Sequence, residues 1–535
     1  PDSTLFRSLI KAVKRGVKIV TFNPIREKGL IEFTNPQNPL QMLVTPPTPI
    51  SCLYLQVRPG GDIAVLMGMI KYVLAADTAA QAGGRRVLDI DFITQHTSDF
   101  EALRQKAASV RWEEIEAESG LARADIEAAG QIYVEAERSI GIYGMGLTQH
   151  AYGYDNVAMF VNLMLLRGNI GREGAGISPV RGHSNVQGQR TVGISEKPEL
   201  VPLDRIAAQF GFDPPRDKGL NTVDGCEAII AGKVRAFIGL GGNFLRAVPE
   251  RGLIEEAWSR LDLTVHVATK LNRSHLIPGK VAYLLPCLGR SEEDMQATGP
   301  QAVTMEDSLS CIHGSLGKNK PASPHLRSEL AIVAGLAKAT LPLNSRVRWD
   351  EWVGDYARVR DLIEETYPKE FKQFNERVFT PGGFYKGNSA RERIWKTETK
   401  KAVFTVPKSL NASGIADADG RYRLITLRSN DQFNTTIYGY SDRHRGIEGT
   451  RDVLLINPRE MARAGLAKGQ RVSLVSDAGD GIARRLDGLA VTPFALPDGC
   501  LGAYYPEANP LVPLSHHDEQ SKTPAYKAVP VRIVA

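Results

Sequence analysis

At 535 residues the chain is too long to fold around a single hydrophobic core, so several domains are expected. Its hydrophobic fraction of 42% and mean hydropathy of -0.21 are those of a globular protein, and no uninterrupted apolar run of about 18 residues marks a membrane span. The net charge of +6, spread over 66 basic and 60 acidic residues without a basic block, argues against nucleic acid as a partner.

The opening PDSTLFRSLIKAVKRG reads as a helix already under way inside a larger fold, so a fragment is expected. Ser8–Lys14 is amphipathic, and Val17–Phe22 (VKIVTF) predicts a short strand. Leu53–Val57 (LYLQV) predicts a second strand, RPGGD a tight turn, and Ile63–Leu74 a helix. This βαβ rhythm belongs to a doubly wound sheet, in which ligands bind beyond the carboxyl ends of the strands. Asn23, Gly60, Gly61 and Asp62 fall there, although Asp62 equally suits a helix N-cap.

The rhythm returns twice. Ser139–Tyr143 predicts a strand running into Gly144 and Gly146, followed by an apolar helix over Val157–Leu166. Val234–Phe244 (VRAFIGLGGNF) predicts a strand ending in a glycine cluster, then a helix near Glu255 and the strand LTVHV. GLGGN is not GxGxxG and no downstream acid is placed for a ribose, so a plain nicotinamide-cofactor site is poorly supported. Two strand-end glycine turns suggest two nucleotide-like sites in two related domains.

Between them lies GAGISPVRGHSNVQGQRTVGI, Gly174–Ile194, with five glycines and no Asp, Glu or Lys. Glycines admit close approach, and Asn, Gln and Arg supply forked hydrogen bonds. A large, flat, anion-bearing ligand would use such a stretch, and so would an ordinary polar loop. Beyond Thr340 the texture changes: Trp349–Lys372 looks helical, and Thr380–Gly420 is irregular and linker-like. From Tyr422, short β runs (YRLITLR, DVLLINP, QRVSLVS, GLAVTPF) between turns predict a compact β-barrel. The five cysteines lie far apart without a CxxC, so no metal-ligand set is assigned, and their scatter points to a reducing, cytoplasmic setting.

PVRGHSNVQGQRTVGI, GMGLTQH, LLRGNIGREGAG, GLGGNF, TKLNRSH, LPCLGRSEED, NTTIYGYSDRHRGI and YYPEANPLVPL together resemble the molybdopterin oxidoreductases of the formate dehydrogenase alpha-subunit-like group. The resemblance spans essentially the whole chain. It implies an α/β fold of two Rossmann-like dinucleotide-binding domains, incomplete at the N-terminus, followed by a β-barrel of the double-psi type. The expected boundaries are 1–182 and 183–340 for the two domains, 341–420 for a helical segment and linker, and 421–535 for the barrel.

The cofactor implied is molybdenum bis-molybdopterin guanine dinucleotide, with a 4Fe-4S cluster and the molybdenum ligand expected upstream of Pro1. The fragment alone is then expected to be inactive. The reaction implied is a two-electron oxidation of a small substrate, formate dehydrogenase-like, with electrons passed to the cluster and on to an electron-transfer partner. Two alternatives remain: a molybdoenzyme reducing an oxyanion or N-oxide, and a cofactor-free electron-transfer or assembly scaffold of the same fold.

By resemblance, Asn23, Gly60, Gly61 and Asp62 serve one guanosine end, and Gly241, Gly242, Asn243, Lys270, Asn272 and His275 the other. Gly144, Gly146, Gln149 and His150 form a pterin-facing turn, and Arg428, Gln432, Asn434, Thr435, Asn509 and Lys527 close over the pterins. Arg181 and His183 lie beside the metal as catalytic candidates, with Asn185 and Gln187 tuning the cofactor. Read singly, Asn509 also suits a turn, Lys527 a solvated lysine, and the adjacent His516 and His517 surface positions.

Overall fold

The computed structural model describes residues 3–534 apart from 36–37, 44–45, 81–83, 85 and 181. The chain packs as two compact units, the first made of Pro1–Ile177, Ala247–Arg251 and Arg393–Ala535, the second of Ser178–Arg246 and Gly252–Glu392. The segment between residues 341 and 420 therefore divides. Its helices Trp349–Gly354 and Tyr356–Thr366 belong to the second unit, and everything from Arg393 belongs to the first.

In the first unit the strands Val20–Phe22 and Leu53–Leu55 pair in parallel, with Val20 opposite Leu53. The turn after the second strand leads into the helix Asp62–Ala80, longer at its C-terminal end than the apolar run alone predicts. By length and composition this helix could cross a membrane. In the structure Ile63, Met67, Ile70 and Val73 are buried in a core shared with Leu103, Ile115, Ile126 and Leu163, which accounts for an apolar surface almost all the way round. Gly68 lets the neighbours close in, since a Cβ there would meet Ile126 Cγ2 at 2.8 Å.

The same unit ends in a closed six-stranded barrel. Tyr422–Leu427 runs parallel to Cys500–Tyr504 and antiparallel to Val529–Val534. Val453–Ile456 runs parallel to Arg485–Pro493 and antiparallel to Cys500–Tyr504, and Arg471–Ser476 closes the ring against Arg485–Pro493 and Val529–Val534. Alternate residues Leu424, Leu454, Val472, Leu474, Leu489, Val491, Leu501 and Val529 fill the interior. Closure leaves no free edge. The barrel is fastened within its unit by Arg423, which reaches Pro59 O at 3.0 Å and Glu118 at 2.6 Å, and by Arg445, which reaches Glu27 at 2.6 Å.

The second unit is built on a three-stranded parallel sheet, Ala236–Leu240, Leu263–Ala268 and Val281–Pro286, with the middle segment between the other two. Trp258 is fully buried against Phe237 and Phe244. A separate antiparallel pair, Ala302–Glu306 with Cys311–Leu316, packs over Phe371, Phe374 and Val378.

Candidate functional site

Five of the first unit's candidates converge where the barrel meets the turn over residues 144–150. The main-chain nitrogen of Lys527 donates to Gln149 O at 3.0 Å, and its ammonium donates to Thr426 O. Arg428 lies over the Tyr505 ring at 5.8 Å. Neither cation is paired with a carboxylate among the described residues, and burial next to Arg428 pushes the Lys527 ammonium down to about 7. His150 is buried and hydrogen-bonded to the backbone of Gly146, and burial with Lys527 nearby pushes it down to about 3. Its Nδ1 has no hydrogen-bond partner. Surplus positive charge beside an unsatisfied buried nitrogen suits an anionic ligand rich in hydrogen-bonding groups.

The neighbouring barrel residues brace the loop. Gln432 Oε1 accepts from Ser429 N and Arg451, each at 3.0 Å, and its Nε2 donates to Asn434 O at 2.5 Å and Tyr505 O at 2.7 Å. Asn434 takes a left-handed conformation, φ +50°, and Thr435 is buried. Asn509 is buried too and donates to Val248 O at 2.6 Å.

At the strand ends of this unit, Asn23 holds its own turn, donating to Ile25 O at 2.6 Å and to the Tyr54 hydroxyl at 3.3 Å. Gly60, at φ +85°, and Gly61 are required by the chain itself, since a Cβ on Gly61 would meet Glu118 O at 2.7 Å and one on Gly60 would meet Ser413 N at 3.2 Å. Close approach is needed there for the protein's own backbone. Asp62 opens the long helix, half-buried and without a cationic partner among the described residues, and burial pushes its carboxyl up to about 7.

In the second unit the other guanine-side candidates gather at one turn. Gly241 (φ +69°) and Gly242 (φ +78°) face open space, and Asn272 donates to Gly242 O at 2.9 Å. Asn243 Oδ1 accepts from the Ser274 hydroxyl at 2.5 Å, and Asn272 and His275 form a capping box over the turn Arg273–Leu276. Lys270 is exposed, and the His275 ring lies 4.9 Å from that of His266. Ser274, the buried knot of this turn, is a residue that sequence reading passed over.

In the glycine-rich stretch the fold adds a contact that the sequence reading did not name. Arg181 lies outside the described residues, and His183 is exposed. The stretch holds no carboxylate of its own, yet the fold brings it one: Glu306, buried on the strand Ala302–Glu306. Gln187 donates to Glu306 Oε1 at 2.6 Å, Thr191 donates to Oε2 at 2.6 Å, and Asn185 Oδ1 accepts from the Glu306 amide at 2.9 Å. An acid inside the otherwise uncharged run AVTME was the signal available. His516 and His517 are also not surface positions: His516 is buried, with Nε2 2.7 Å from Ser413 O, and His517 is half-buried. Among the described residues no cluster of His, Cys, Asp or Glu could hold a metal ion.

The molybdopterin oxidoreductase family matches residues 36–276, and the molydopterin dinucleotide binding domain matches residues 422–530. Protein YdeP of Escherichia coli is 46% identical over 532 residues, covering 99% of this chain and 70% of that protein. The chain belongs to the molybdopterin oxidoreductases. Formate dehydrogenase subunit alpha of Methanocaldococcus jannaschii is a more distant relative of this family member, 32% identical over 187 residues, or 35% of this chain and 24% of that one. Acetylene hydratase from Pelobacter acetylenicus shares the fold, with a TM-score of 0.63 at 14% identity over 99% of this chain and 75% of its own. The Lys527, Arg428 and His150 grouping lies at the barrel of this molybdopterin oxidoreductase, and its chemistry fits a polyanionic dinucleotide.

Proposed function

We propose that this molybdopterin oxidoreductase carries out a formate dehydrogenase-like two-electron oxidation of a small anionic substrate. The observation that supports the reading best is the unpaired positive charge of Lys527 and Arg428 at the mouth of a dinucleotide-binding barrel. A scaffold without cofactor has no use for a half-buried lysine lacking a carboxylate, because an uncompensated buried charge is destabilising.

Molybdenum, when bound, would supply the two-electron couple, and a 4Fe-4S cluster, for which no ligand set is present among the described residues, would be the one-electron outlet. The residues of this chain bind, orient and exclude water. Lys527 and Arg428 hold negative charge on the dinucleotide, and Asp62 accepts hydrogen bonds from a guanine edge. Arg181 grips a substrate carboxylate through its planar fork, and His183 stands two residues away in sequence as a polar neighbour of the same substrate.

The test is elemental analysis of the purified full-length protein followed by titration with formate and with small oxyanions. Molybdenum or tungsten near one per chain, with bleaching or an EPR signal on formate addition, is the expected outcome. Metal without response to formate but with response to an oxyanion would move the substrate. Absence of both metals would sink the enzyme reading.

A further inference from the structure

We infer that Glu306 is the positioning residue for the segment Asn185–Thr191, which His183 and Arg181 precede in sequence. The inference rests on the proposed function in one respect: that this segment faces substrate.

The geometry is specific. The two oxygens of one buried carboxylate are divided between two side chains of one turn of helix, Oε1 to Gln187 and Oε2 to Thr191, both at 2.6 Å. These lie four residues apart and so on one helix face. Asn185, at the start of the same helix Val186–Thr191, returns a bond to the Glu306 amide, so strand and helix are locked in both directions. Gly188 makes the contact possible, because a Cβ there would meet Asn185 Oδ1 and, at 3.2 Å, Glu306 Cβ. Lys386 stands 3.3 Å from Oε1 and is itself mostly covered, which places a counter-charge beside the carboxylate.

The helix is only six residues long, and such a helix cannot hold itself in water. Its position is therefore set from outside, and Glu306 is the group that reaches both ends of it. A charged acceptor also makes stronger hydrogen bonds than a neutral one and leaves fewer alternatives for Gln187. Neither Glu306 nor Lys386 needs to touch substrate for this to matter, since a misplacement of about 1 Å in a substrate-positioning loop costs about a hundredfold in rate.

The experiment compares the wild type with Q187E, E306Q, T191V and the exchange variant Q187E/E306Q, all in the purified full chain. Amide hydrogen exchange is followed in peptides covering residues 182–194 and, as a control, in the barrel. Q187E sets two carboxylates against each other, so exchange in 182–194 should rise by about tenfold or more while the barrel stays within about twofold. The exchange variant restores an amide–carboxylate pair and should bring the rate back to within about threefold. T191V, which leaves the carboxylate untouched, should loosen the segment less than Q187E. In metal-loaded full-length protein, the shift of the molybdenum(V) EPR signal on adding formate or azide, normalised to metal content, should weaken in Q187E and return in the exchange variant.

Unchanged exchange in both Q187E and T191V overturns the inference, as does failure of the exchange variant to restore it. If Q187E does not fold, T191V and the exchange variant decide. Exchange that follows the scheme while the EPR signal ignores every variant shows Glu306 to be structural only and overturns its positioning role. A wild type without metal would sink the proposed function, and the exchange measurements would still decide whether Glu306 fixes the segment.

Discussion

Arg484 grips Glu250 with two nitrogens, at 2.8 and 2.7 Å, and both side chains are almost wholly covered, at 3% and 6% exposure. Glu250 sits in a left-handed conformation, φ +58°, in the short segment Ala247–Arg251 that belongs to the first unit. Tyr505 and Tyr526 clasp the same segment at Ala247 O, at 2.7 and 2.5 Å.

Removing one partner of such a pair strands the other charge in the interior. Glu250→Ala should therefore cost about 3–5 kcal/mol of stability. Urea unfolding followed by tryptophan fluorescence measures it. A loss below about 1 kcal/mol would mean that Asp480, which also bonds Arg484 at 2.7 Å, takes over the charge.

Asp62 carries a pH signature. Its carboxyl stands at about 7 in the folded chain against an ordinary 3.8. Between those values the folded state binds the proton that the unfolded state has lost, so stability is highest below the lower value and falls as pH rises towards the upper one. In cofactor-free protein Asp62→Asn should abolish that fall, as read from urea midpoints across the window. Asp62→Ala should also lower cofactor content, since buried guanine donors would lose an acceptor at a cost of about 1–3 kcal/mol. Wild-type content in the variant would leave Asp62 with only its place at the helix start.

Lys527 gives the opposite window. Its ammonium stands at about 7, below its ordinary 10.5, so between those values the folded chain binds fewer protons than the unfolded one. Cofactor-free protein should gain stability as pH rises through that range, and Lys527→Met should flatten the rise. The same substitution should reduce bound molybdopterin, because it removes a cation from the anion's site. Retained stability slope together with full cofactor loading would count against both roles.

Arg181 tests the substrate side. In the full-length protein Arg181→Ala should lower turnover by roughly a hundredfold or more, and Arg181→Lys, which keeps the charge without the fork, by less. Molybdenum content should stay near the wild-type level in both. Normal turnover at normal loading would remove Arg181 from the active site, and lost metal would make it a cofactor contact instead.

Periodicity and turn chemistry alone determined the local elements. LYLQV, RPGGD and the apolar run after it announced strand, turn and helix, and the four β runs from Tyr422 announced a barrel, because these signals depend on residues close in sequence. The cofactor family was legible in the long motifs of the glycine turns and the barrel loops. Tertiary structure alone decided what those motifs touch. Gly61 is glycine on account of Glu118 and Ser119, some sixty residues away, and a stretch without a carboxylate proved to be organised around Glu306. Lys527 could be read as a solvated lysine until the fold set it, half-buried, beside Arg428. Burial and long-range pairing depend on which distant segments share a core, and no local pattern encodes that.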